Sequence, residues 1–83
     1  MPTYRPEVLE QLAEHGIRPL PTTSPSLIRD YLSDLYRYEI RVLRARLLRG
    51  EIPKQEYSTH VIRLRIRYPL LSIPIELWTV GQP

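Results

Sequence analysis

His15 and His60 are the only imidazoles in this chain of 83 residues, and no cysteine stands beside them. A protein-bound metal takes three or four ligands, and covalent catalysis takes a nucleophile with a base against it. His60 follows Glu56 by one helical turn, the spacing of a carboxylate–imidazole contact. One such pair builds neither kind of site. His15 precedes Gly16, where a cation favours a helix C-terminus. Gly16, Gly50 and Gly81 are isolated from one another, so no glycine-rich loop is available to cradle a phosphate. We therefore expect a non-enzymatic protein without catalytic, cofactor-binding or metal-ligating residues.

Arginine is the second source of chemistry. Eleven of the twelve cationic residues are arginine, whose planar fork suits phosphate, carboxylate and buried interfaces better than lysine does. The net charge of +3 is unevenly spread: residues 37–67 sum to +6, while 1–24, 25–36 and 68–83 sum to −1 each. Tyr36, Tyr38, Tyr57 and Tyr68 are interleaved with the basic block. Arg37, Arg41 and Arg44 on one helix, with Arg63 and Arg67 on the next, form a candidate nucleic-acid contact. Guanidinium groups would take phosphates and aromatic rings would take bases. The plainer reading is a solvated face that keeps a small apolar protein dispersed. Most of the tyrosines also fall on packing positions.

These residues must be positioned by one small domain, because 83 residues bury a limited core and no disulfide supplements it. We divide residues 1–83 into an N-terminal helix with a proline-rich linker (1–24), a helical hairpin (25–68) and an apolar, proline-rich tail (69–83). In the first part Pro6 opens a helix over residues 6–15, Gly16 closes it and Ile17 is placed to contact it from beyond the cap. Ser24 is an N-cap candidate for a long central helix from Pro25 to Arg49 that ends at Gly50. Ser24-Pro25 also has the form of a phosphorylation site. The long helix would measure about 37 Å, against a diameter of about 30 Å for a compact chain of this length. The molecule is then either an elongated hairpin or a rod partly covered by a second chain.

At 100° per residue two apolar series share the long helix: Ile28, Tyr31, Leu35, Tyr38, Val42 and Ala45, then Leu32, Tyr36, Ile40, Leu43 and Leu47. They occupy about 220° of its circumference, twice what a one-sided helix needs. Glu39 and Arg46 interrupt this face two turns apart. They can snorkel, form a register-setting ion pair, or meet a ligand or partner. From this excess of apolar surface we expect a partner or oligomer interface at Leu32, Leu35, Tyr36, Glu39, Ile40, Leu43, Arg46, Ile62, Ile66 and Trp78. A homodimer is the simplest assembly and a different protein partner the alternative.

After Gly50, Pro53 restarts a helix. The corner from Leu47 to Tyr57 resembles that of bacterial short C-terminal (SHOCT) modules. The likeness spans about residues 43–64 and departs from those modules at Val61-Ile62-Arg63-Leu64-Arg65, where they carry a lysine-rich helix. It implies an oligomerisation or scaffold role. From Ile62 to Tyr68 apolar residues alternate with Arg63, Arg65 and Arg67 like a strand, yet no second such segment offers residues 60–68 a pairing partner. We expect a helix with Tyr57, Val61, Leu64 and Tyr68 on its packed side, an intermolecular strand being the alternative. Ile62 and Ile66 then lie on the far side and need covering. Pro69 stops that helix, and the tail packs back or onto a partner. The fold class is all-α. No run is long enough to span a bilayer and the N-terminus lacks a signal-peptide core, so a cytoplasmic protein is expected.

Overall fold

The computed structural model describes residues 3–80. Three α-helices carry the fold: α1 (Pro6–Glu14), α2 (Pro25–Leu48) and α3 (Tyr57–Ile66). Proline stands in the first turn of both α1 and α2, where its missing N–H leaves no hydrogen bond unmade. Ser24 occupies the N-cap of α2, but its hydroxyl bonds to that of Ser26 at 2.8 Å rather than to the helix backbone.

Both early glycines close a helix in the same way. Gly16 has φ +74° and Gly50 φ +78°, the left-handed region that side chains disfavour. Around Gly16 the N–H of Ile17 reaches the Leu12 carbonyl at 2.9 Å and that of Gly16 reaches Ala13 at 2.9 Å. Around Gly50 the N–H of Glu51 reaches Arg46 at 2.9 Å and that of Gly50 reaches Leu47 at 3.0 Å. These paired bonds are the Schellman ending, which usually adds an apolar contact across the cap. At Gly16 the residue beyond the cap, Ile17, packs against the core as that rule expects. At Gly50 the corresponding residues are Arg46 and Glu51, which form an ion pair at 3.5 Å.

The chain after Gly50 winds through a short 3-10 turn (Lys54–Glu56) into α3, which packs against α2. Residues 60–66 are helical, and Leu64 and Tyr68 face inward as the spacing predicts. Beyond α3 two further 3-10 turns, Pro69–Ser72 and Ile75–Leu77, fold the tail back. Leu70 and Trp78 enter a core with Tyr4, Val8, Leu12, Ile28, Leu32, Leu64 and Tyr68. Trp78 is fully buried, and its indole N–H donates to the Ile73 carbonyl at 3.2 Å.

The all-α expectation needs one correction. Thr3–Tyr4 (β1) pairs antiparallel with Thr79–Val80 (β2), Thr3 opposite Val80 and Tyr4 opposite Thr79. No alternating pattern announces two-residue strands. They form because the buried Trp78 brings the tail to the start of α1. There the Arg5 N–H donates to the Trp78 carbonyl at 2.9 Å, and the Arg5 guanidinium donates to the Leu77 carbonyl at 2.7 Å.

The extents are 52 × 17 × 16 Å with a radius of gyration of 15.4 Å. Of the two shapes expected from the length of α2, the single chain is the elongated one. It exposes 6152 Å². A compact monomer of the same 9.9 kDa mass would expose about 5200 Å².

Candidate interaction surface

Glu39 and Arg46, the two charges that break the apolar face of α2, do not meet. Each pairs with the returning chain. Arg46 takes Glu51 beyond the cap, and Arg49 takes the other oxygen of the same carboxylate at 2.6 Å. The Arg49 hydrogen bond, with the charges of both arginines, holds the Glu51 carboxyl below the usual carboxylate range.

Glu39 belongs to a tighter cluster. The Tyr68 hydroxyl donates to its carboxylate, and the Arg67 guanidinium lies 3.8 Å from the other oxygen. The His15 ring stacks on Tyr68 with centroids 4.4 Å apart, and Tyr36 meets the same ring edge-on at 5.2 Å. His15 Nε2 lies 2.7 Å from the Arg67 carbonyl, which can only accept, so Nε2 carries the proton. The end of α1, the middle of α2 and the end of α3 are thereby tied at one point. Burial, then the hydrogen bond to Glu39, pushes the Tyr68 phenol well above its ordinary pKa.

Beside this cluster α2 and α3 enclose an open cleft of about 370 Å³. Tyr38, Glu39, Val42, Leu43 and Arg46 line it from α2, and His60, Arg63, Leu64 and Arg67 from α3 and its end. His60 thus faces the cleft with the arginines. Arg63 and Arg67 lie together here. Arg37, Arg41 and Arg44 do not line the cleft and are exposed on α2. The nucleic-acid candidates accordingly fall into two groups rather than one face.

The residues expected at a partner interface separate as well. Leu32 and Trp78 are sealed in the chain's own core, and Leu43 is almost fully buried. Leu35, Tyr36 and Ile40 pack against that core while keeping some exposure. Ile62 and Ile66 are 57% and 71% exposed, so the tail leaves them uncovered.

Four further exposed apolar residues, of which Tyr38 and Val42 border the cleft, were missing from the expected interface. Leu27, Tyr31, Tyr38 and Val42 are 64%, 57%, 57% and 42% exposed along one side of α2. Three of them stand in the first apolar series, so the signal was present in the sequence. What it lacked was a sign of which series the rest of the chain would cover.

Among the described residues no group of three or more histidine, aspartate or glutamate side chains could hold a metal ion. Nor is any helix among them long and apolar enough to cross a membrane. Comparison with protein-family models, curated proteins and solved structures finds no match, and the resemblance at residues 43–64 stays one of local geometry.

Proposed function

We propose that this chain is a non-enzymatic helical interaction module that associates with itself through α2. The observation that carries this reading is the apolar row Leu27, Tyr31, Tyr38 and Val42, exposed after the chain has completed its own core. Contiguous apolar surface on a small chain marks an interface, and tyrosine is enriched at interface centres. The chain's surface exceeds that of a compact monomer by about 950 Å², close to one partner's share of a standard interface. Sedimentation equilibrium tests the reading. A dimer is expected in the micromolar range, reverting to monomer in Val42→Glu. A wild-type monomer throughout that range would remove self-association.

A second reading, nucleic-acid binding, draws support from the cleft lined by Arg46, Arg63 and Arg67. It predicts binding to a generic duplex or single strand that falls steeply with salt. Absence of binding at low salt would eliminate it.

A further inference from the structure

We infer that two copies of the chain pair their α2 helices antiparallel, with a two-fold axis crossing near Tyr36 and Arg37. This rests on the self-association reading and adds the direction and register of the contact. Leu27, Tyr31, Leu35, Tyr38, Val42 and Ala45 follow one another at steps of four, four, three, four and three residues. At 100° per residue they lie within an arc of about 80°. This is the spacing by which one helix seats its side chains between those of another.

The apolar positions of the row are spaced almost symmetrically about its middle. Leu35 and Tyr38 are equidistant from a point between residues 36 and 37, as are Tyr31 and Val42, and Leu27 and Ala45 nearly so. Turning a second copy about that point lays apolar residues on apolar residues along about 27 Å of helix. The exposed charges beside the row choose the same direction. Asp30 and Asp34 lie in the first half of α2, and Arg41 and Arg44 in the second, all exposed. Antiparallel pairing sets Asp34 level with residue 39 of the second copy, about 3 Å along the axis from its Arg37 and its Arg41, and Asp30 level with residue 43, between its Arg41 and Arg44. Parallel pairing instead gathers the arginine-rich halves at one end, where like charges repel.

The native chain has no cysteine, so introduced thiols report without background. In the antiparallel register residue 31 lies level with residue 42 of the other copy, while each lies about 16 Å along the axis from its own counterpart. Mixed Tyr31→Cys and Val42→Cys chains should form a disulfide under mild oxidation, and neither variant should do so alone. Self-linking of each variant without the mixed product would establish parallel pairing and overturn the inference. A wild-type dimer that gives no disulfide in any combination would place the interface elsewhere and overturn it as well. A wild-type monomer by sedimentation would instead defeat the self-association reading itself. A charge exchange checks the register without touching the apolar row. Asp34→Arg should raise the dimer Kd roughly tenfold, and adding Arg41→Asp should restore it. Failure of the second change to rescue the first would refute the register.

Discussion

Replacing Tyr68 by phenylalanine isolates the bond that ties α3 to the middle of α2. The ring keeps its stack on His15 and its edge contact with Tyr36, and only the hydroxyl aimed at Glu39 disappears. A hydrogen bond to a charged acceptor contributes about 1.5–3 kcal/mol. The Glu39 side chain is 28% exposed and retains Arg67 at 3.8 Å, so water and the guanidinium partly compensate. The lower end, about 1.5 kcal/mol, is the expected loss. In a domain of this size that lowers Tm by about 6–12 °C. Thermal and urea unfolding of both proteins at one fixed protomer concentration measure it, since self-association would otherwise enter the comparison.

The pH dependence of stability gives a second reading of the Tyr68 phenol, through its burial first and its bond to Glu39 second. The folded-state pKa of Tyr68 is raised above its unfolded value near 10, so folding favours the protonated phenol. Its contribution is complete below about pH 10 and is lost as the pH rises further, because the unfolded chain releases the proton first. Tyr68→Phe should flatten this alkaline decline. A smaller slope should remain from Tyr4, whose phenol is also raised by burial. If the variant unfolds within about 0.5 kcal/mol of wild type with an unchanged alkaline limb, the Glu39–Tyr68 bond does not hold the hairpin.

Gly50→Ala should cost about 1–2 kcal/mol although a Cβ there meets no atom within 4 Å, because the penalty lies in the backbone at φ +78°. Gly50→Asn should recover part of it in the same unfolding assay, and an alanine variant as stable as wild type would contradict the cap. Trp78→Phe removes the bond to the Ile73 carbonyl and leaves a void in a fully buried site, for an expected loss of about 2–3 kcal/mol. Amide exchange at Arg5 should also accelerate in that variant, since its N–H is held by the carbonyl of residue 78.

Local rules were sufficient wherever a residue acts on its own neighbours. The proline starts of α1 and α2, the glycine endings at residues 16 and 50, and the inward set of Leu64 and Tyr68 depend on contacts within a turn or two. Sequence spacing therefore exposes them. The strand-like alternation that begins at Ile62 yields to a helix because a strand needs a partner and a helix bonds within itself. Glu39 and Arg46, which interrupt the apolar face, were also legible as anomalies, but their partners were not. Glu39 meets residues 28 and 29 positions away, and Arg46 meets one beyond a reversal of the chain.

Only the tertiary structure decided how α2's wide apolar circumference is divided. Packing of α1, α3 and the tail closed over Leu32 and Leu43 and left Leu27, Tyr31, Tyr38 and Val42 outside. Hydrophobic burial is non-directional, so two apolar series of similar strength look alike until the rest of the chain covers one of them. Likewise Trp78 could serve a partner or its own core by composition alone. The return of the tail through two 3-10 turns settled that, and the β1–β2 pairing of the two ends followed from it. The sequence by itself determined that α2 carries more apolar surface than a single neighbour needs. The three-dimensional packing determined which side of it stays exposed.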